Sequence, residues 1–166
     1  MRSVAVATVI CLAAVGCAKD KTESPSSGGK APVALSGTVN DKGTKDVSGK
    51  DEFELEQDDF YFSPTFVKAK PGATIKVEVS NEGDAQHTFT IDALHIDVML
   101  AKGESKDVSV TLPSSGAVAF YCRFHRSSGM QGAFYFNEGD TVGSGGTAPS
   151  GAASSSGSDD GGAYGK

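Results

Sequence analysis

The chain has 166 residues, enough for one ordinary domain with tails. Its net charge of -6 argues against a nucleic-acid partner, because a phosphate backbone would be repelled. An acidic surface suits a basic protein partner or simply maintains solubility.

At the N-terminus, Arg2 and the apolar stretch from Val4 to Val15 read as a processing signal over 1–16 rather than as part of a fold. The stretch falls short of the roughly 18 apolar residues of a membrane-spanning helix. It ends in A-V-G-C, with small Gly16 directly before Cys17. This resembles the bacterial lipoprotein signal, in which Cys17 is acylated and becomes the first mature residue. Ala14 stands where that signal favours Leu, and an ordinary secretory cleavage is the alternative. Cys11 follows bulky Ile10 and is a poor lipid site. With Cys11 removed and Cys17 under lipid, Cys122 has no intramolecular disulfide partner in a compartment that favours disulfides. It is then a buried inert thiol, an interchain bridge or a metal ligand.

Residues 17–32 are rich in Ser, Gly and Lys and read as a flexible spacer. Residues 33–138 form the domain, and 139–166 are a Gly/Ser-rich tail without the apolar bulk to offset ordering entropy. Within the domain the pattern is all-β. Phe53 and Leu55 alternate with Glu54 and Glu56; Ile75, Val77 and Val79 alternate with Lys76, Glu78 and Ser80; Val108, Val110 and Leu112 alternate with Asp107, Ser109 and Thr111. Turn signals at Pro71-Gly72, Asn81 to Gly83, Lys102-Gly103 and Pro113 to Gly116 separate these runs. Ala93 to Leu100 has room for a short helical turn, and Met99 reads as core among Leu94, Ile96, Val98 and Leu100. Short strands at this spacing favour an antiparallel sandwich or barrel. The acidic run Asp51 to Asp59 is a solvated strand face or a docking surface for a basic redox partner.

Strand parity orients the candidate site. Val118, Phe120 and Cys122 share one face, as do His87, Phe89 and Ile91, so both candidate ligands reach one end of the sandwich from neighbouring strands. The string A-F-Y-C-R-F-H-R-S-S-G-M-Q-G, Ala119 to Gly132, places Cys122, His125 and Met130 on one loop. Thiolate, thioether and two imidazoles, His87 included, suit copper in both oxidation states. Gly129 and Gly132 relax the backbone on either side of Met130. His95 lies outside the pattern as a surface residue.

This string resembles the copper loop of the plastocyanin-like cupredoxins, Y-C-x-x-H-x-x-x-G-M-x-G. The segment Asn81 to Phe89, with an Asn six residues before His87, resembles their first-ligand region; Asp59 to Thr65 and Pro71-Gly72 resemble their early strands. The resemblance implies a Greek-key β-sandwich and one type 1 (blue) copper ion held by His87, Cys122 and His125 as equatorial ligands and Met130 as axial ligand. It also implies single-electron transfer through the edge of His125. Tyr121 resembles a residue near the family's electron-transfer surface, with packing on a neighbouring strand as the equal alternative. Two residues depart from the pattern. Thr88 stands where an Asn commonly braces the ligand loops, and can still donate through its hydroxyl. Phe124 replaces the Pro before the second His, and with Ala85 offers an apolar contact patch.

The expectation is a non-enzymatic, monomeric electron carrier, lipid-anchored on the extracytoplasmic side of the cell membrane and served by redox protein partners. The alternative is a protein for copper transport, storage or delivery. Three His in all, two of them assigned, leave too few for a catalytic copper centre.

Overall fold

The computed structural model describes residues 30–143. The expected leader 1–16, the lipid site Cys17, most of the spacer and the tail beyond residue 143 lie outside the described residues.

Ten strands are found among the described residues: β1 Thr44–Asp46, β2 Glu52–Asp58, β3 Tyr61–Ser63, β4 Phe66–Lys68, β5 Thr74–Asn81, β6 His87–Ile91, β7 Ile96–Leu100, β8 Ser105–Thr111, β9 Val118–Tyr121 and β10 Gln131–Tyr135. They form a six-stranded sheet, β1-β4-β10-β9-β6-β7, and a four-stranded sheet, β3-β2-β5-β8. The chain passes repeatedly from one sheet to the other, which gives the two layers of a Greek-key sandwich. The fold is all-β as expected, but the pairing is mixed. β1 with β4, β4 with β10, and β2 with β5 run parallel. Directly joined neighbours such as β6 and β7 run antiparallel. Crossing to the other sheet between β2 and β5 removes the need for a hairpin and allows the parallel arrangement.

The core is sewn by aromatic rings. Phe120 meets Phe62 at 5.0 Å, Phe134 at 5.3 Å and Phe89 at 5.6 Å between centroids. All four are fully buried, the first two contacts are edge-to-face and the third is tilted, and aromatic pairs at such separations add about 0.5–1.5 kcal/mol each beyond area burial. Gly132 is dictated by this packing. A Cβ there would lie 2.2 Å from the Thr65 carbonyl oxygen and 2.5 Å from Phe120 Cζ, so the backbone of β10 approaches its neighbours more closely than any side chain permits.

The segment after β6 corrects one expectation. A short 3-10 turn, Asp92–Leu94, is followed by His95 in the left-handed region (φ 54°) and then by edge strand β7. Leu100 is buried opposite His87, so parity turns Met99 outward, and it is 46% exposed rather than core. His95 is exposed, as expected.

Candidate metal centre

Adjacent strands assemble the site at one end of the sandwich. β6 pairs antiparallel with β9 at Thr90 and Tyr121, which brings the start of β6, His87, beside the residue that follows β9, Cys122. The loop from Cys122 to Met130 then joins β9 to β10. Its backbone closes on itself. Cys122 N–H donates to the Met130 carbonyl at 3.0 Å, and Met130 N–H donates to the His125 carbonyl at 3.2 Å. A 3-10 turn, Arg126–Ser128, fills the gap and ends at Gly129, whose φ of 98° needs a glycine. Gly129 therefore relaxes the loop as expected. Gly132 instead serves close packing inside β10.

Three of the four candidate ligands place their donor atoms together. His87 Nδ1 lies 3.1 Å from His125 Nδ1 and 3.8 Å from Cys122 Sγ, and His125 Nδ1 lies 3.5 Å from Cys122 Sγ. Bonds of about 2.0–2.3 Å from imidazole and thiolate to one ion would produce separations of this size. The donor set thus fits a single ion, and its mixture of nitrogen and soft sulfur suits copper. Met130 is fully buried at the end of the same loop. Cys122 is a free, fully buried thiol, and His87 is fully buried, whereas His125 is half-buried. Burial pushes the His87 imidazole below its ordinary pKa, and His125 adds to the effect; the Asp59 carboxylate partly opposes it. A neutral imidazole is the form that binds metal.

The surrounding groups hold this geometry. Thr88 N–H donates to Cys122 Sγ at 3.4 Å, and Thr88 Oγ1 accepts the Arg123 N–H at 2.9 Å. The Thr90 hydroxyl donates to Asp97 Oδ1 at 2.8 Å. The Thr88 hydroxyl, 3.0 Å from that of Thr90, is then the donor in their contact. Thr88 thereby braces both ligand strands at the position where the related pattern carries Asn. Asn81 folds the turn that leads into His87. Its Nδ2 donates to the carbonyls of Ala85 (2.9 Å) and Leu100 (3.1 Å), and its Oδ1 accepts the Gly83 N–H at 3.1 Å.

Three contributors were not apparent from the sequence. Asn40 ties the loop from outside, donating through Nδ2 to the carbonyls of Ser128 and Phe60, each at 2.8 Å. Phe60 sits at φ 73°, and its 42% exposed ring lies edge-on to His125 at 4.8 Å between centroids. Exposed Phe124 lies 6.2 Å from the same imidazole, so Phe60 contributes to the apolar surround along with the expected Phe124. The third is Asp59, whose Oδ1 lies 3.4 Å from His87 Nε2. Tyr121 is on the outer face, where its hydroxyl donates to Asp92 at 2.9 Å and Arg126 covers its ring at 4.4 Å.

Residues 32–134 match the family model of the cupredoxin-like domain. No curated protein matches the sequence at a significant level. Among solved structures, reduced auracyanin from Roseiflexus castenholzii is similar at 20% identity and a TM-score of 0.46, covering 52% of this chain and 97% of the other. Auracyanin A, a "blue" copper protein from Chloroflexus aurantiacus, is similar at 16% identity and a TM-score of 0.44, covering 56% and 100%. The metal-binding domain of the Streptococcus pneumoniae Cu(I)-exporting P-type ATPase is similar at 11% identity and a TM-score of 0.47, covering 60% and 96%. The family match spans most of the described domain.

Proposed function

The chain belongs to the cupredoxin-like domain family, and from that premise we propose that it is a single-electron carrier rather than an enzyme or a copper-delivery protein. His87, Cys122 and His125 hold one type 1 copper ion, with Met130 as the fourth and weaker donor. When bound, copper supplies a reversible one-electron change between Cu(I) and Cu(II).

The observation that carries this reading is the convergence of two Nδ1 atoms and one thiol sulfur within 3.8 Å of one another, with His87 and Cys122 fully buried and His125 half-buried. Ligands fixed on β6, at the end of β9 and on a self-bonded loop need little rearrangement when the charge at the site changes. Burial excludes water from all but the His125 edge. That edge, flanked by Phe60 and Phe124, is the contact for a redox partner. Delivery of copper would instead require this end of the sandwich to open. His95, the remaining His, is exposed at the start of β7 and has no part in the centre.

The membrane location is part of the same proposal and rests on the leader and Cys17. A lipid at Cys17 would confine the carrier, as a monomer, to the outer face of the membrane and raise its effective concentration near membrane-bound or basic partners.

Visible absorption and electron paramagnetic resonance of the copper-loaded soluble domain test the centre. The expected result is an intense blue or green band from thiolate-to-copper charge transfer; a colourless copper complex overturns the type 1 reading. Repeated reduction and reoxidation without copper loss supports the carrier, and loss of copper on reduction favours delivery.

A further inference from the structure

The groups on the far side of His87 assign a role to Asp59. We propose that Asp59 is a positioning residue for the metal centre: its carboxylate receives the Nε2–H of His87, holds Nδ1 toward the ion, and stabilises Cu(II) relative to Cu(I). The inference rests on the type 1 reading and extends it from the ligands to their control.

Its starting point is proton placement. A His87 that offers the Nδ1 lone pair to the site must carry its proton on Nε2. That nitrogen is buried and has no partner within ordinary hydrogen-bond geometry among the described residues. A buried donor left unpaired is costly, so an acceptor is required. Asp59 Oδ1 stands 3.4 Å away, longer than a well-formed bond, and is the carboxylate placed to receive this proton.

The turn Gly83 to Ala85 shapes this contact in two ways. The N–H groups of Asp84 and Ala85 each donate to Asp59 Oδ1 at 3.2 Å and hold it in place. Gly83 then leaves the space between the partners free. A Cβ at Gly83 would lie 2.7 Å from Asp59 Oδ1 and 3.0 Å from His87 Nε2, although its backbone is not in the left-handed region. The glycine is needed because carboxylate and imidazole meet over it. A ligating imidazole oriented by a carboxylate is more basic and more rigid.

A negative charge here favours the more positive ion. The Asp59 side chain is 40% exposed, so water screens part of the effect. Neutralising it should lower the Cu(II)-to-Cu(I) affinity ratio about tenfold, a rise in reduction potential of about 59 mV for one electron. Asp59→Asn keeps an acceptor for the Asp84 and Ala85 N–H groups while removing the charge. It should keep its colour and show that rise. In the zinc-loaded wild type, nuclear magnetic resonance should show the His87 Nε2–H protected from exchange. Asp59→Ala should lose that protection, and Gly83→Ala should weaken it and raise the potential by displacing the carboxylate. If the Cu(II)-to-Cu(I) ratio of Asp59→Asn stays within twofold of wild type, or the Nε2–H is as protected in Asp59→Ala as before, the proposal is overturned. A colourless wild type would sink the type 1 reading alone, because the zinc-loaded proton measurement still reports on the Asp59 contact.

Discussion

The two sheets use their faces differently. In the four-stranded sheet, β2 alternates strictly, with Phe53, Leu55 and Gln57 buried and Glu52, Glu54 and Glu56 exposed, and β5 does the same over most of its length. In the six-stranded sheet, β6 and β10 are buried at every residue. Those strands carry His87, Thr88, Thr90 and Gln131 inside the protein. Alternation therefore marks a strand with one face turned to water, including β9, which leads into Cys122. Its loss in β6 and β10, with polar residues among the buried ones, marks the two strands that flank β9 at the centre, because a buried polar group persists only where something needs or satisfies it.

The sharpest separation of site from scaffold is Cys122→Ser. The change is nearly isosteric at the end of a regular strand, so far-UV circular dichroism should retain the β signature. The thiolate is gone, and the charge-transfer band should be abolished outright. Loss of both signals together would show that the thiol is a core element first and a ligand second.

Phe120→Ala attacks the scaffold two residues earlier on the same face. It removes the ring that joins Phe62, Phe89 and Phe134, and should cost about 3–5 kcal/mol in denaturant unfolding. The folded fraction should still bind copper with a coloured band. Thr88→Val lies between the two roles. It keeps the shape but deletes the acceptor for Arg123 N–H and the link to Thr90, for an expected loss of about 1–2 kcal/mol. Its Thr88 N–H bond to Cys122 Sγ is a backbone feature and survives, so the band should be kept with a modest shift.

The same contrast explains what was legible in the sequence. Where one face is wet, as in β2, β5 and β8, period-two alternation identifies the strand and its buried side. Parity also put Cys122 and His87 on inward faces, and the loop spacing brought His125 beside them. Met99 was misread because apolar neighbours on both sides of it hid the alternation of an edge strand; only its register, with Leu100 opposite His87, settles which way it points. Asn40, Phe60 and Asp59 left no local signal. Asn40 reaches Ser128 across 88 positions, and Asp59 meets the turn before His87 across about 25, contacts that exist only once the sheets have stacked. Within the acidic run Asp51 to Asp59, nothing in the residue types distinguishes the carboxylate beside His87 from those facing water.

Glu52→Gln should have the smallest effect, and it tests the outer face directly. Glu52 pairs with Lys76 at 2.9 Å, with side chains 70% and 49% exposed. The hydrogen bond from Lys76, and then its charge, hold the Glu52 carboxyl below its ordinary pKa. A depressed carboxylate pKa stabilises the folded state above the unfolded value, and that contribution is lost as pH falls through the folded one. Because both groups are solvated, salt screens the pair, and at about 0.15 M ionic strength the unfolding midpoint should match wild type. The reduction potential should also be unchanged, since this carboxylate faces water on the outside of the other sheet. A difference in midpoint should emerge only at low salt and above the carboxylate range, and disappear on acidification. A shift in potential at ordinary salt would mean that the outer charges reach the centre.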